Sequence, residues 1–426
     1  MLRLSLAFLL ALALPAAAQA PPDTQPYGPA MDGAPADGPP ALSDAASVSL
    51  LTMLPGEEVY SLFGHSALRI RDAATGLDRT YNYGTFDFEQ PFFMARFIRG
   101  DLNYILDTAP FDAELAKYLY LGRPIIEQRL DLPPDAVRAM LDALETNARP
   151  ENRAYRYDFL FDNCSTRLLG VIDTALVRTG APPVTLAARV APLTFRERLD
   201  THLGGVPLLR LGMFVGIGQP TDVVPTPRQE TFLPLDLAAQ LDGATVDGRP
   251  LVVSRDTLFH VPGEGLPART PDVPSIVAWL ALAAGALLTL LGRWRDGRAG
   301  RWADAALFGL AGLVGAVLLF LWTATSHAVT RPNWNLLWAW PTHLGAAVML
   351  ARGAVGAKGR IYLLLTAVAS LVVAVAGPLA HLLPQTLPPT VLPVALLLAV
   401  RAGAHGHAAR PSSYPESVAA LAEGTP

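Results

Sequence analysis

Cysteine is almost absent from this chain of 426 residues, because Cys164 is the only one. A single cysteine excludes an intramolecular disulfide and any metal site built from several thiolates. His65, His202, His260, His327 and His343 are scattered without metal-ligand spacing such as H-x-x-x-H, so we expect no metal site and no cofactor. Cys164 is therefore either a small buried hydrophobe or a working thiol.

Charged residues are also scarce, at 16% of the chain, and the formal net charge is only −4. No basic run stands out, so nucleic acid is not an expected partner. Hydrophobic residues make up 51% of the chain, and the mean hydropathy is positive, at +0.31. This composition predicts two or three domains, one of them in a membrane.

Residues 1–20 have the pattern of a secretory signal peptide. Arg3 precedes an apolar stretch, and Ala18-Gln19-Ala20 is a small-x-small cleavage site. An uncleaved anchor helix is the alternative, which the shortness of the apolar stretch disfavours. No cysteine follows the cleavage site, so the chain is not expected to be a lipoprotein itself. Export would place the following domain in an oxidising compartment.

Residues 21–44 are rich in Pro, Ala, Gly and Asp and predict a disordered linker. Residues 45–270 predict an exported α+β domain with a catalytic core at about 45–180, whereas residues 181–270 look irregular. The predicted strands are Val48–Leu54, Ala67–Arg71, Arg79–Tyr83, Ile125–Leu132 and a strand within Leu251–Val261. The predicted helices before Cys164 are Phe111–Leu121 and Asp135–Asn147.

Cys164 stands at the start of a predicted amphipathic helix that runs to Thr179 and stops at Gly180. Asn163 reads as the N-cap, which puts Cys164 in the first turn. The positive end of the helix dipole there favours a thiolate. The backbone amides from Asp162 to Ser165 are candidates for an oxyanion hole.

His65 is the candidate base for this thiol, because a neutral imidazole can take its proton and return it later. It lies at the entrance to a predicted hairpin, whose turn is at Thr75-Gly76. Asn82, on the paired strand, is a candidate for orienting the imidazole. The alternatives are a merely satisfied loop histidine and a hairpin hydrogen bond of Asn82.

The aromatic-rich segment Phe92–Ile98 predicts a short helix with two possible environments. One is the protein core. The other is a lip that dips into the bilayer surface or contacts an acyl chain.

Residues 274–404 predict an all-α membrane domain of about five helices, with four as the alternative because the last run is short and interrupted by proline. Arginines and lysines concentrate in alternate loops, which places the large domain outside and the tail at 405–426 in the cytoplasm. The predicted spans are Ile276–Leu291, Ala305–Thr325, Leu336–Leu350, Ile361–Leu383 and about Pro389–Val400. The basic loop residues include Arg293, Arg295, Arg298, Arg301, Arg352, Lys358 and Arg360, with Arg401 and Arg410 after the fifth run.

The segment between the second and third spans lies on the outer side in this topology. Its tryptophans fit an interfacial aromatic belt. Its polar residues His327, Arg331, Asn333, Asn335 and His343, foremost His327, Asn333 and Asn335, are candidates for holding a lipid headgroup or the membrane-proximal end of a substrate.

Several short motifs, in order, resemble the Lnb-type bacterial membrane proteins, which have an exported thiol domain and a helical membrane domain. The order of histidine before cysteine also resembles the circularly permuted papain-like (NlpC/P60-like) fold. The motifs are Phe63-Gly64-His65-Ser66, Tyr81-Asn82-Tyr83-Gly84, Tyr157-Asp158-Phe159, Asp162-Asn163-Cys164-Ser165-Thr166 and Asn333-Trp334-Asn335-Leu336-Leu337.

The resemblance implies lipoprotein N-acylation at the periplasmic face of the bacterial inner membrane. An acyl chain would pass from a phospholipid donor to Cys164 as a thioester, and then to the N-terminal amine of a diacylglyceryl-cysteine lipoprotein. Cys164 would be the nucleophile and His65 the general base, while the third residue, with Asn82 as candidate, is not fixed by the resemblance. Two other hypotheses stay open: a thiol amidase or peptidase acting on cell-wall peptide, and a non-enzymatic membrane assembly module.

Overall fold

The computed structural model of the chain describes residues 40–86, 91–186, 192–263, 265–291, 298–379 and 382–406. The predicted signal peptide, nearly all of the predicted linker, and the predicted tail beyond 406 lie outside these residues, as do Arg293 and Arg295. The described chain forms two compact units. The first comprises Met1–Pro271 and Phe320–Asn333, and the second comprises Asp272–Leu319 and Trp334–Pro426.

The first unit is built on a seven-stranded sheet in the order β6-β4-β3-β2-β1-β5-β9, in which every neighbouring pair is antiparallel. The strands are β1 Ser47–Met53, β2 His65–Asp72, β3 Leu77–Phe86, β4 Asn103–Pro110, β5 Ile125–Leu130, β6 Ala154–Arg156 and β9 Val252–Thr257, with β7 Thr245–Val246 and β8 Arg249–Pro250 as a separate pair. The predicted strands and the hairpin of β2 and β3 are confirmed.

Nine named helices of the described chain precede residue 300, and eight of them belong to the first unit. They are α1 Phe93–Arg99, α2 Phe111–Tyr120, α3 Pro134–Ala148, α4 Cys164–Arg178, α5 Phe195–His202, α6 Pro207–Gly216, α7 Pro227–Glu230 and α8 Pro234–Asp242, followed in the second unit by α9 Val273–Leu290. The α+β class predicted for the exported part is confirmed.

The two faces of the sheet bury different helices. On one face, Leu50, Leu68 and Tyr81 pack with the apolar sides of α3, α4 and α8. On the other face, Leu51, Met53, Ala67 and Ile125 pack against Tyr118 of α2. Each fully buried leucine or isoleucine in these layers contributes about 1.5–3 kcal/mol, so α4 is held firmly by its inward-facing residues. Those residues are Leu168, Leu169, Ile172, Ala175 and Leu176.

The region after residue 181 is more regular than its sequence suggests, because α5 to α8 lie within it. The sequence pattern left these helices unassigned. Proline stands at the first turn of α6, α7 and α8, where its missing N–H costs no hydrogen bond. Thr194 and Thr226 form capping boxes at the starts of α5 and α7. Prolines that read as breakers are therefore helix starts.

The core alternative for α1 is wrong, because its described apolar side chains face outward. Phe92 is 85% exposed, and Phe97 and Ile98 are 39% and 41% exposed.

The remaining named helices are mostly apolar, and the all-helical class predicted for this region is confirmed. They are α10 Arg298–Thr323, α11 His343–Arg352, α12 Ala357–Ala376 and α13 Val391–Gly406. Within the described ranges, α9, α10 and α12 are long and apolar enough to cross a membrane. The predicted run Leu336–Leu350 is not one helix, since a 3₁₀ turn at Trp334–Leu337 and a break before α11 shorten it to ten helical residues.

The predicted topology placed Arg401 in a loop after the fifth apolar run, but the structure places it inside α13. Its side chain is fully buried and donates to both carboxylate oxygens of Asp304, at 2.7 and 2.8 Å. A buried bidentate pair of this kind satisfies both charges within the helical unit.

Candidate active site

Asn163 fixes the start of α4 through a capping box. Its Oδ1 accepts from the backbone N–H groups of Ser165 and Thr166, at 2.9 and 3.0 Å, while Thr166 Oγ1 accepts from the Asn163 N–H at 2.8 Å. Its Nδ2 donates to the carbonyl oxygens of Phe159 and Phe232, each at 2.8 Å. The predicted N-cap is confirmed, and these bonds hold Cys164 as the first residue of the helix.

The Cys164 thiol is almost fully buried, with 8% of the residue exposed. The backbone N–H groups of Ser66, Cys164 and Ser165 and the Ser165 hydroxyl, which is 3.9 Å from Sγ, lower its pKa. Burial has the larger effect, however, and raises the pKa of Cys164 overall. The resting group is therefore a thiol, which corrects the expectation of a thiolate from the helix dipole alone.

The nucleophile candidate and the base candidate come from distant parts of the chain. Cys164 opens α4, which packs across the sheet, and Ser66, whose N–H faces the sulfur, follows His65 at the start of β2. A hydrogen bond of 3.2 Å between the hydroxyls of Ser66 and Ser165 fastens the two elements together. Long-range packing thus brings Cys164 to the neighbour of His65.

His65 is held by Asn82, whose Oδ1 is 3.2 Å from His65 Nε2. Because an amide oxygen only accepts, Nε2 carries the proton and Nδ1 keeps the lone pair that a general base needs. Burial lowers the pKa of His65 to about 3, the positive charges of Lys117 and Arg123 act in the same direction, and the Asn82 bond opposes them. His65 is therefore neutral at neutral pH.

The strand register explains why Asn82 meets His65. Leu68 pairs with Tyr81, so Asn82 comes opposite Ala67 as the register continues. Ala67 shares its strand face with His65, two residues earlier. Asn82 is 5% exposed, and its Nδ2 donates to Thr80 Oγ1 at 3.5 Å. Its side chain thus reaches the imidazole and a strand neighbour, whereas its catalytic role stays a prediction.

Gly84 is a residue of the site that sequence reasoning passed over, although it closes the Tyr-Asn-Tyr-Gly motif. It lies at a register shift of β3 and has a φ of +88°. A Cβ atom at this position would stand 3.3 Å from Cys164 Cβ. The missing side chain lets Cys164 approach the strand. Lys117 and Arg123 were also missed, because their proximity to His65 depends on packing alone.

Two of the headgroup candidates, His327 and Asn333, belong to the first unit. His327 Nε2 lies 3.2 Å from the carbonyl oxygen of Ile98, at the end of α1. Asn333 is 1% exposed and donates to the carbonyl oxygens of Val215 and Gly216, at 2.8 and 3.0 Å. Its burial argues against direct headgroup binding.

In the second unit, Asn335 is fully buried, and its Oδ1 accepts from Trp338 Nε1 at 3.0 Å. This bond stabilises the 3₁₀ turn before α11, so Asn335 has a structural function there. Among the described residues, no group of three or more His, Cys, Asp or Glu could hold a metal ion.

Comparison with known protein families matches two parts of the chain. Residues 41–200 match the Lnb N-terminal periplasmic domain, and residues 269–410 match the Lnb transmembrane domain. No curated protein and no solved structure matches the chain. The two matches lie in the same order as the sheet-rich unit and the apolar helices, which indicates a membrane protein with a periplasmic N-terminal domain. The chain belongs to the Lnb family.

Proposed function

We propose that this protein is a membrane-bound acyltransferase that moves an acyl chain from a phospholipid through a Cys164 thioester to the N-terminal amine of a diacylglyceryl-cysteine lipoprotein. The observation that carries the proposal is a lone buried thiol that faces backbone N–H groups, one of which belongs to Ser66, the residue that follows a neutral histidine held by Asn82. Its place in a periplasmic domain joined to apolar helices supports lipid-linked substrates.

In the first half-reaction, the Cys164 sulfur attacks the ester carbonyl carbon of the phospholipid while His65 Nδ1 accepts the thiol proton. The backbone N–H groups at the start of α4 stabilise the tetrahedral oxyanion. When the carbon–oxygen bond breaks, His65 returns the proton to the leaving alkoxide. The products are a lysophospholipid and a thioester on Cys164.

In the second half-reaction, the neutral amine of the lipoprotein attacks the thioester carbonyl. His65 accepts one amine proton, the carbon–sulfur bond breaks, and the proton passes to the leaving thiolate. The products are an amide and free Cys164. A neutral resting imidazole suits both halves, because each begins with proton acceptance. The burial of Cys164 also limits hydrolysis of the thioester by water.

Burial alone does not distinguish a catalytic Cys164 from a structural one, so the distinction depends on the groups around it. A buried thiol in apolar packing needs no base and no oriented imidazole. Here the sulfur faces three backbone N–H groups, one of them from Ser66, and the imidazole of the preceding residue, His65, is oriented by Asn82. These groups support a working thiol.

The test is the intact mass of the full-length protein purified from membranes and incubated with phospholipid vesicles. We expect a hydroxylamine-sensitive acyl adduct on the wild type, none on Cys164→Ser, and about 10²–10⁴-fold slower adduct formation for His65→Gln. His260→Gln, which alters an exposed histidine of the same unit, is the matched control. An adduct that persists in Cys164→Ser contradicts the proposal.

The complete reaction is tested in cells that lack other lipoprotein N-acyltransferases. Mass spectra of lipoprotein N-termini should show a third acyl chain with the wild type and the His260→Gln variant, and two chains with Cys164→Ser. Release of a new amine from muropeptides, with no acyl adduct, would instead identify a cell-wall amidase.

A further inference from the structure

The short helix α1 and the residue that precedes it expose large apolar side chains. Phe92, Phe97 and Ile98 are 85%, 39% and 41% exposed. Neighbouring large apolar side chains on one short helix are unusual on a water-facing surface and mark a contact site.

The end of α1 is fastened to the chain that leaves α10. The Ser326 N–H donates to the carbonyl oxygen of Arg99 at 2.7 Å, next to the contact of His327 with Ile98. Gly100, with a φ of +70°, permits this approach, because a Cβ there would stand 2.9 Å from the His327 ring. The end of α1 is therefore in direct contact with the segment that follows α10.

This attachment sets the depth of α1 relative to a membrane. The candidate span α10 ends at Thr323, three residues before Ser326. Three residues reach at most about 10 Å, whereas one polar headgroup layer is about 5–7 Å thick. If α10 crosses the membrane, the C-terminal end of α1 lies in that layer or just above it.

The charges around α1 suit a lipid surface. Arg99 and Arg156 expose 65% and 61% of their side chains, and both pair with Asp101. Arg156 also donates to Ser326 Oγ at 3.0 Å. Arginines beside exposed phenylalanines are the pattern of an interfacial helix that meets anionic headgroups.

A row of aromatic rings leads from the surroundings of the thiol to the ends of β3 and β4, the strands that flank α1 in the chain. Gly84 adjoins both Cys164 and Tyr157, whose Cε2 would stand 3.6 Å from a Cβ at position 84. Tyr157 stacks on Tyr104 with ring centroids 4.1 Å apart, and Tyr104 lies 4.8 Å from Phe86. Phe86 ends β3 and Tyr104 belongs to β4, the two strands that α1 connects.

We propose that α1 is a membrane-inserted lip whose Phe92, Phe97 and Ile98 side chains enter the outer leaflet. Resting on the proposed function, the phospholipid acyl chain enters beside this lip and lies along the aromatic row toward Cys164. The occupant of the exposed surface is the lipid bilayer itself.

Insertion is tested by single-cysteine fluorescence in the full-length protein reconstituted into anionic vesicles. Because Cys164 is the only cysteine, Cys164→Ser gives a cysteine-free background for labelling Phe97→Cys. Val177→Cys is the matched control, since Val177 is an exposed apolar residue of the same unit on α4. Lipids with nitroxide-labelled acyl chains should quench the probe at 97 and leave the probe at 177 unquenched. Equal quenching at both positions overturns insertion.

The acyl route is tested separately with Cys164 intact. The double variant Phe97→Ser/Ile98→Ser should form the acyl adduct about tenfold more slowly from bilayer phospholipid, and at an unchanged rate from a water-soluble activated ester. Equal rates from bilayer phospholipid for variant and wild type overturn the route. Absence of any phospholipid adduct on the wild type rejects the proposed function, and the quenching experiment still decides insertion.

A second inference rests on a different observation, the hydroxyl of Tyr155. This oxygen is buried and has no hydrogen-bond partner in the described structure. A Cβ on Gly84 would stand 3.7 Å from Tyr155 Oη and 3.3 Å from Cys164 Cβ, so both groups adjoin one point. Arg167 lies over the Tyr155 ring, 3.5 Å from its centroid, and fixes the orientation of the phenol.

A buried hydroxyl without a hydrogen-bond partner destabilises the folded protein. Beside a nucleophile this cost is explained if the hydroxyl gains an acceptor during the reaction. Burial raises the pKa of Tyr155, which keeps the phenol protonated as a donor. We infer that Tyr155 Oη donates a hydrogen bond to the oxyanion formed when Cys164 attacks an acyl carbonyl, in addition to the backbone N–H groups.

Tyr155→Phe tests this assignment through rate and stability together. Acylation of Cys164 by a water-soluble activated ester, followed by intact mass, should slow about 100-fold with little change in KM. The thermal midpoint of the full-length protein in detergent should stay equal or rise, because an unpaired polar atom is removed. This assay does not depend on the physiological donor, so it is distinct from the test of the proposed function.

Tyr83→Phe is the matched control in the same aromatic cluster. The Tyr83 hydroxyl accepts from Asn147 Nδ2 at 2.8 Å, so its loss should lower the thermal midpoint while the acylation rate stays unchanged. A Tyr155→Phe protein that acylates at the wild-type rate, or loses stability as Tyr83→Phe does, overturns the assignment.

Discussion

The buried neutral state of His65 makes a quantitative prediction about acid stability. The pKa of His65 is about 3 in the folded chain against an ordinary value of 6.5, chiefly because of burial and then because of the nearby Lys117 and Arg123 charges. Between these two values the unfolded chain binds a proton that the folded chain does not. The stability from a neutral His65 is therefore complete above pH 6.5 and is lost as the pH falls toward 3.

The size of the effect follows from the shift. At about 1.36 kcal/mol per pKa unit, lowering the pH from about 7 to about 4.5 should cost the wild type about 2.5 kcal/mol through His65 alone. His65→Gln removes this titration and retains a polar side chain near Asn82. Other groups titrate equally in both proteins, so the difference between their pH profiles isolates His65.

The assay measures hydrogen exchange of the backbone amides in β2 and α4. All seven tryptophans lie at or after Trp279, so their fluorescence reports only on the helical part of the chain. Backbone amides of β2 and α4, in contrast, exchange their hydrogens with solvent when the first unit opens, and comparing the two proteins at each pH cancels the intrinsic pH dependence of exchange. The ratio of wild-type to His65→Gln exchange rates should rise about 70-fold over this pH interval, if reclosing is faster than exchange. Parallel pH profiles would refute a buried neutral His65.

Two further predictions concern the support of the site. Asn82→Ala leaves His65 Nε2 without its hydrogen-bond partner at 3.2 Å, so the full-length protein should lose about 1–3 kcal/mol of stability. Acylation of Cys164, followed by intact mass, should slow about 10–100-fold. An unchanged acylation rate would show that Asn82 has no part in the reaction. Gly84→Ala introduces a Cβ atom 3.3 Å from Cys164 Cβ at a φ of +88°, whereas the control Gly76→Ala places a Cβ atom at a φ of +77° with nothing within 4 Å. The backbone strain should cost each variant about 1–2 kcal/mol of stability, seen as a lower thermal midpoint, and only Gly84→Ala should also slow acylation. Equal acylation rates for the two variants would contradict a close Gly84–Cys164 contact.

Local sequence signals predicted much of the first unit correctly because they report on single elements. The alternation of apolar and polar residues around Leu68 correctly predicted β2, and the Asn163 cap with the apolar stripe that follows it correctly predicted α4. The same local rules left most of residues 181–270 unassigned, where prolines start helices, and misread the run at Leu336–Leu350, where a 3₁₀ turn intervenes. A proline allows either a turn or a helix start, and neighbouring elements decide between them.

The environment of the site depends on contacts that no local pattern encodes. The helix dipole at Cys164 suggested a thiolate, but burial has the larger effect and raises the pKa of the thiol. The aromatic segment at Phe92–Ile98 fitted either a core helix or a surface lip, and only packing shows that its described apolar side chains are exposed. Burial is a property of the whole fold, since it depends on which distant residues cover a given atom.

The sequence by itself therefore determined the chemical types in this protein: one thiol, a histidine at a hairpin entrance, an amide on the paired strand and a series of apolar helices. The tertiary structure alone decided that Cys164 reaches the neighbour of His65, that Asn82 contacts the imidazole, and that Gly84 and Tyr155 adjoin the thiol. Periodicity and capping depend on residues a few positions apart, whereas the geometry of the site joins residues separated by up to about one hundred positions through the packing of α4 on the sheet.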